Sequence, residues 1–308
     1  MIYKIIILCL ALSIMYPQEI IGDGLFEDEL IDYLREHYKT SYTLGYTHAR
    51  DTLYLRIDRL DGIVKGVYTN YSVELPETGI DPSTYLYEHG INCEHIWPQS
   101  LYEGAEPTKS DMHALRPCKD NVNSSRGNKP FNDVVDSQTI TWYWQDSQTS
   151  NIPTSNIDEY SENHGAYFEP REDRKGDIAR TIFYFYTMYS EVADEDFFNI
   201  QKDILKTWHI QDPANEDEIA RTWAIASYQQ NKPNPFILDS TLINRAYFYD
   251  GMILGDINGD GILDVLDIVE LVSLILNGEI IPEGDVNGDG YTNILDVIIV
   301  ANIILSQN

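Results

Sequence analysis

Residues 91–100 read INCEHIWPQS, and residues 110–131 read SDMHALRPCKDNVNSSRGNKPF. The first segment sets a carboxylate beside an imidazole, Glu94 and His95, and Asn123 follows 28 residues after the histidine. Hydrolysing a phosphodiester needs a base to take a proton from water and a hard cation to absorb charge on the phosphate. An imidazole titrates near neutral pH, which makes His95 the candidate base. Glu94 and Asn123 both offer oxygen, the ligand type Mg²⁺ takes; such sites use few protein groups and leave other positions to water and phosphate. Neighbours on a strand point to opposite faces. Glu94 and His95 therefore serve one site only where the strand ends, bends or bulges, and Trp97-Pro98 suits an end. The pattern predicts a short strand around residues 91–96, a second around 112–115, and a helix opening after Pro117. Arg126 lies three residues after Asn123, on roughly the same helix face, where a guanidinium can hold a phosphate. A lone Glu-His dipeptide is an ordinary surface feature; the segment around it decides otherwise.

That segment resembles the endonuclease I family of ββα-metal (His-Me finger) nucleases, secreted or periplasmic enzymes that cut DNA, and often RNA, without sequence preference. The matching pieces are EHIWPQS at 94–100, DMHALRP at 111–117 and VNSSRGNKPF at 122–131. KGDIARTIFYFY at 175–186, WHIQDPANEDEIAR at 208–221 and QNKPNPF at 230–236 extend the resemblance over residues 26 to 250. It implies an α+β fold, a mainly helical body around the finger. It also implies His95 as the general base, Glu94 and Asn123 as ligands of Mg²⁺ (or Mn²⁺), and cleavage that leaves a 5′-phosphate and a 3′-hydroxyl. Some family members carry a longer insert between the histidine and the asparagine, with an arginine that stabilises the leaving phosphate. This chain is short there and offers Lys109 and Arg116 as stand-ins. His113 reads as a hydrogen-bonded structural histidine, and Trp97 and Pro98 as packing.

GDINGDGILDVLDIVELVSLIL at 255–276 recurs as GDVNGDGYTNILDVIIVANIIL at 284–305, a period of 29 residues. Each copy opens as an EF-hand calcium loop does, with oxygen ligands at alternating positions and a glycine at the sharp turn. The first loop offers Asp256, Asn258, Asp260, the Ile262 carbonyl, Asp264 and Asp267. The second offers Asp285, Asn287, Asp289, the Tyr291 carbonyl, Asn293 and Asp296. Each loop ends on Asp where EF-hands use Glu, and no helix precedes it. In both respects the segment resembles a type I dockerin, a small all-α module with two EF-hand-like calcium loops that docks a cohesin on a scaffold protein. In dockerins the residues after the ninth loop position help select the cohesin; here they are Val265-Leu266 and Ile294-Leu295. Adjacent aliphatics suit a partner surface or packing within the module.

The N-terminal run Ile5 to Tyr16 spans twelve residues, too short for a membrane span, and reads as a signal peptide. Cleavage fits after Ser13 or after Gly22, which gives a leader over 1–22, a nuclease domain over 23–250 and a dockerin over 251–308. A secreted, scaffold- or cell-surface-associated protein with a monomeric nuclease domain and no membrane partner follows. Beyond the leader stand two cysteines, Cys93 and Cys118. An even pair in an oxidising compartment invites a disulfide, closing a loop of about 25 residues and stabilising by roughly 3 kcal/mol; a buried free thiol is the other reading.

A net charge of −29 runs against the usual footprint of a nucleic-acid binder. Residues 250–308 hold eleven acidic side chains and no Lys or Arg, while residues 92–131 balance five of each sign. The finger is thus locally neutral, with Lys109, Arg116, Arg126 and Lys129 as candidate phosphate contacts. Arg171, Arg174, Lys175 and Arg180 form a second basic group, read either as a nucleic-acid strip or as a solvated helix start. Apolar spacing predicts helices over 25–38 and 177–189, and the polar stretch 132–165 an irregular excursion with a small strand pair. The 22 tyrosines are scattered, as packing residues are. Two functions stay open: a metal-dependent nuclease for DNA and RNA held on a cellulosome-like scaffold, and a non-catalytic structural or carbohydrate-associated scaffold component acting through its dockerin.

Overall fold

The computed structural model describes residues 21–102, 104–249, 254–257 and 263–306. The leader before Ile21 lies outside them, as do Asn258, Asp260 and Ile262 of the first C-terminal loop.

Helix α1 (Glu27–Tyr38) opens on Glu27, Asp28 and Glu29 and closes on Arg35 and His37, the charges that each end of the backbone dipole favours. Leu30 and Leu34, one turn apart, form its buried face. Helix α2 (Tyr46–Thr52) runs on into a π-helical turn, Leu53–Ile57. An antiparallel meander follows, β1 (Arg59–Leu60), β2 (Ile63–Lys65) and β3 (Ser72–Glu74). Helix α3 (Pro82–Glu88) starts where Asp81 accepts the Thr84 amide and Pro82 supplies a preset φ.

The finger comes next. Strand β4 (Ile91–His95) pairs antiparallel with β5 (Leu115–Lys119), and helix α4 (Asp120–Arg126) follows directly. The second strand lies later than the sequence pattern predicts. Met112–Ala114 is a 3₁₀ turn, because Asp111 caps it by accepting the His113 amide. Both faces of the hairpin are covered. Cys118 packs with Ile96, Trp97, Val122 and Phe131 in one core, whereas Cys93 packs against a second with Leu53, Val64 and Leu115. Strand alternation is the cause: Cys118 stands opposite Asn92, and Cys93 opposite Pro117, so the two thiols leave opposite sides of the ribbon. The disulfide that the pair invites is therefore not formed. Both cysteines are free, and burial pushes the Cys93 thiol up to about 12.

The stretch expected to be an irregular excursion with a small strand pair instead holds three strands of a four-stranded antiparallel sheet, in the order β7-β6-β8-β9. Its strands are β6 (Thr141–Trp144), β7 (Ser147–Thr149), β8 (Ser161–Asn163) and β9 (Phe168–Glu169). Helix α5 (Lys175–Tyr189) then runs through the larger core with every residue but Tyr186 buried. Trp97 stacks on its Phe185 at 5.1 Å. Helices α6 (Glu195–Asn199), α7 (Lys202–Gln211), α8 (Glu216–Ala226), α9 (Pro235–Leu238) and α10 (Leu242–Tyr247) complete the body. Gly176 permits the start of α5 to meet the end of α7: a Cβ there would stand 1.9 Å from the Asp212 carbonyl oxygen.

The body also includes Ile21, two residues before the expected boundary. Ile21 is buried, its N–H donates to Asp239 Oδ2 at 2.9 Å, and Arg245 Nη1 donates to its carbonyl at 3.0 Å. A cut after Gly22 would remove that anchor; a cut after Ser13 keeps it.

Each C-terminal loop leads into a helix, α11 (Val265–Asn277) and α12 (Ile294–Ser306). Asp264 and Asp267 form a reciprocal capping box at the start of α11. Leu271, Val286 and Val300 make the buried centre of this pair. No helix among the described residues is long and apolar enough to cross a membrane.

Candidate active site

His95 is the last residue of β4, so the strand end that the sequence required is present. Its Nε2 lies 3.1 Å from the Lys109 carbonyl oxygen and its Nδ1 lies 3.0 Å from Gln99 Nε2. A carbonyl can only accept, which puts the ring proton on Nε2 and leaves Nδ1 as the basic nitrogen, an acceptor for the Gln99 amide. The 3₁₀ turn Gln99–Leu101 brings that amide back to the ring. Burial lowers the imidazole to about 4, and Lys109, Arg50 and Arg126 nearby push the same way, against the Lys109 carbonyl. At neutral pH His95 is therefore uncharged, the state a base needs.

Glu94 Oε1 accepts from Tyr68 Oη at 2.7 Å and from Arg126 Nη1 at 3.0 Å. Both side-chain bonds land on one oxygen, so Oε2 has lone pairs to offer a cation. Burial pushes this carboxyl up, and Arg126 and Tyr68 pull it back. Arg126 is fully buried; it also donates to the carbonyls of His95 and Ile96, at 3.1 and 2.7 Å, and lies over the Phe131 ring. The expected phosphate contact at Arg126 is thus corrected: its guanidinium pins α4 to the end of β4 and faces no solvent.

Asn123 reaches back from α4. Its Nδ2 donates to Asn92 Oδ1 at 2.7 Å and to the Cys93 carbonyl at 3.2 Å. Because a carbonyl cannot donate, the nitrogen must face it, and Oδ1 is turned the other way. Glu94, His95 and Asn123 line one cleft of ≈ 390 Å³ together with Pro98, Gln99, Ser100 and Asn128. Among the described residues no three His, Cys, Asp or Glu side chains converge on a common point. A metal here would rest on one carboxylate and one amide oxygen, a set that suits a hard cation keeping most of its waters.

The other expected nucleic-acid contacts fall elsewhere. Arg116 is buried opposite Glu94 in the strand register, with Nη1 unpartnered. Lys129 bonds the Ser125 carbonyl. The basic group near residue 175 is neither a strip nor a solvated helix start: Arg171, Lys175 and Arg180 are buried, Arg174 is half-buried, and all four are held in ion pairs. Lys175 meets Asp133, Glu169 and Glu172 at 3.0, 2.7 and 2.8 Å, Arg180 meets Glu218 at 2.6 Å, and Arg174 meets Asp177 at 2.8 Å. Arg171 pairs with Asp173 at 3.0 Å. Lys109 stays beside His95, its carbonyl oxygen 3.1 Å from Nε2 and its ammonium 5.1 Å from the centre of the Tyr46 ring. His113 is buried, its Nε2 2.9 Å from the Lys232 carbonyl, in the structural place expected of it.

Sequence reasoning missed Tyr68, Asn92, Gln99, Tyr46 and Arg50. Asn92 was legible, since it stands two residues before Glu94 on the same strand face. Tyr68, Tyr46 and Arg50 come from upstream elements, and no spacing announces them.

In the second C-terminal loop, Asp296 accepts the Asn287 and Asn293 amides at 3.1 and 2.8 Å, and Asp285 Oδ2 accepts the Gly290 amide at 2.8 Å. Asp285 Oδ1 is buried without a partner, which is the kind of oxygen a cation would satisfy. Burial pushes its carboxyl up, with Asp296 and Asp289 adding to the shift. Val265, Leu266, Ile294 and Leu295 are all exposed.

The sequence model of a family described as Endonuclease I matches residues 26–241. An extracellular ribonuclease of Bacillus subtilis (strain 168) is 29% identical over 161 residues, and an extracellular ribonuclease of Bacillus amyloliquefaciens 30% identical over 161 residues. Each match covers 47% of this chain and 50% of the relative, so the chain spans about half the length of the curated relatives it matches.

Proposed function

The chain belongs to the endonuclease I family, and from that membership we propose that it is a secreted, metal-dependent endonuclease hydrolysing DNA and RNA without sequence preference. The observation that carries this reading is how three side chains are tied. Glu94 through Oε1 and Asn123 through Nδ2 leave Oε2 and Oδ1 for one cleft, and His95, tied through Nε2, meets there only the Gln99 amide at Nδ1. His95 Nδ1 would take a proton from water as its oxygen attacks phosphorus. The P–O3′ bond would break, leaving a 5′-phosphate and, after protonation of the leaving oxygen, a 3′-hydroxyl. Glu94 and Asn123 would hold Mg²⁺ or Mn²⁺, which supplies positive charge against the developing negative charge on the phosphate. Gln99 would keep the imidazole turned to the cleft until water displaces its amide. The relatives named extracellular ribonucleases favour secretion and bring RNA forward as a substrate.

The test is cleavage of supercoiled plasmid and of single-stranded RNA by the chain without its leader, at low salt with Mg²⁺, beside His95→Ala and an EDTA control. Cleavage by the wild type alone, lost in EDTA, is the expected result. Full activity in EDTA would overturn the metal role. No cleavage of either substrate by a folded wild type would favour the scaffold component without catalysis.

The C-terminal pair we read as a dockerin holding two Ca²⁺, with Val265, Leu266, Ile294 and Leu295 turned to a cohesin. The buried, unpartnered Asp285 Oδ1 and the exposure of both aliphatic pairs support this. Calorimetric titration with Ca²⁺ should give two sites, and Asp285→Ala should remove one. A titration with no heat would end the reading.

A further inference from the structure

Two cations stand beside His95 outside any salt bridge among the described residues. Arg50, one turn after Tyr46 on α2, sets its guanidinium 4.5 Å from the centre of the Tyr46 ring. Lys109 sets its ammonium 5.1 Å from the same centre, and that ring lies 5.3 Å from the His95 imidazole. Neither cation joins an ion pair among the described residues, and Arg50 Nε is buried without a hydrogen-bond partner.

The chain carries 50 carboxylates against 21 Lys and Arg; Arg35, Arg126, Arg171, Arg174, Arg180, Arg221 and Arg245 each pair with an acid, and what sets Arg50 and Lys109 apart from the other cations outside these pairs is that both stand over one ring beside His95. Two cations outside any ion pair among the described residues are thus held on one aromatic ring beside the His95 imidazole. The ring contributes cation–π attraction and fixes where the charges sit. They also stand on a definite side: Tyr46 packs with Cys93, whereas Cys118 and Val122 pack on the other face of the hairpin with α4.

We propose that Arg50 and Lys109, both set on Tyr46, hold a backbone phosphate of the nucleic-acid substrate on the α2 side of His95. The inference rests on the nuclease reading above. It explains how so acidic a protein binds a polyanion: the contact is a local pair of cations, not a basic surface. A planar guanidinium suits two phosphate oxygens, and the ammonium adds a point charge. Being charge contacts, they release counterions when the substrate binds.

The experiment is steady-state cleavage of single-stranded RNA and of duplex DNA over a series of salt concentrations, with the full chain lacking only its leader. Arg50→Ala should lower kcat/KM about 10- to 100-fold and flatten the plot of log kcat/KM against log salt by about 0.7 to 0.9. The double change with Lys109→Ala should flatten it about twice as far. Arg50→Lys, which keeps the charge and loses the fork, should retain most of the slope and part of the rate. Arg56→Ala, on an exposed residue of the neighbouring turn, should match the wild type. If the wild type cleaves and Arg50→Ala keeps both its rate and its salt slope, this inference falls and the nuclease reading stands. If Arg50→Ala and Arg56→Ala flatten the plot equally, the effect is general charge and the inference also falls. If the wild type cleaves neither substrate, the nuclease reading fails first.

Discussion

The ring proton of His95 is fixed by Lys109: Nε2 lies 3.1 Å from a carbonyl oxygen that can only accept. Nδ1 is therefore the basic nitrogen, whatever the surroundings do to its affinity for a proton. His95→Gln preserves a donor toward Lys109 and removes the base. Its kcat should fall about 10²- to 10⁴-fold, while the thermal midpoint stays near that of the wild type. Initial rates and a melt on the same sample check this, and a variant keeping most of the rate would remove His95 from the role.

Asn123 faces the Cys93 carbonyl with its amide nitrogen, at 3.2 Å. Aspartate at this position would bring oxygen against oxygen, although its charge alone should favour a cation. Asn123→Ala should weaken Mn²⁺ binding about tenfold or more, and Asn123→Asp should not rescue it. Titration followed by electron paramagnetic resonance reads the affinity. Tighter binding by the Asp variant would show that the amide orientation is irrelevant.

Arg126 and Glu94 are both buried and 3.0 Å apart. Removing the arginine leaves a carboxylate without its partner, so Arg126→Ala should cost about 3–5 kcal/mol of stability. Denaturant unfolding measures it. Activity lost with stability intact would return Arg126 to the phosphate.

Burial holds His209 at about 4, below the ordinary value of about 6.5. Between those values the unfolded chain binds the extra proton, so stability contributed by this residue falls as pH drops from about 6.5 toward 4, by about 1.4 kcal/mol per unit. Carboxylates whose affinity for protons is raised on folding, Glu162 at about 7 among them, act in the opposite sense. The comparison is therefore between wild type and His209→Gln, with denaturant midpoints at several pH values. The variant should lose less stability than the wild type on acidification; parallel curves would contradict this.

Ile21 is buried and its backbone is held by Asp239 and Arg245. A chain starting at Asp23 should be less stable than one starting at Ile14 by about 1.5–3 kcal/mol, the worth of one buried aliphatic side chain. Equal thermal midpoints would place Ile21 outside the cooperative unit.

The basic residues near 175 show why charge patterns mislead. Lys175 and Arg180 are close in sequence, but their partners are Asp133, Glu169 and Glu218. No local pattern tells whether carboxylates from other elements will reach a lysine. The two cysteines teach the same lesson about spacing: what forbids their bond is that Cys93 stands opposite Pro117, a register that only strand pairing sets.

What the sequence determined by itself was local. Glu94, His95 and Asn123 sit in one short finger whose first strand ends at His95 and whose helix follows the second strand at once, so the identities and separation of these residues sufficed to bring them to one cleft. The 29-residue repeat likewise announced two loop-helix units, since each is built from contiguous residues. The tertiary structure decided everything that depends on partners far along the chain. It turned Arg126 inward, set Arg50 and Tyr46 beside His95 from an upstream helix, and fixed the imidazole proton through Lys109. The physical reason is that a side chain's chemical nature belongs to its sequence, whereas its burial, its charge partner and its free lone pairs belong to whatever the fold packs against it.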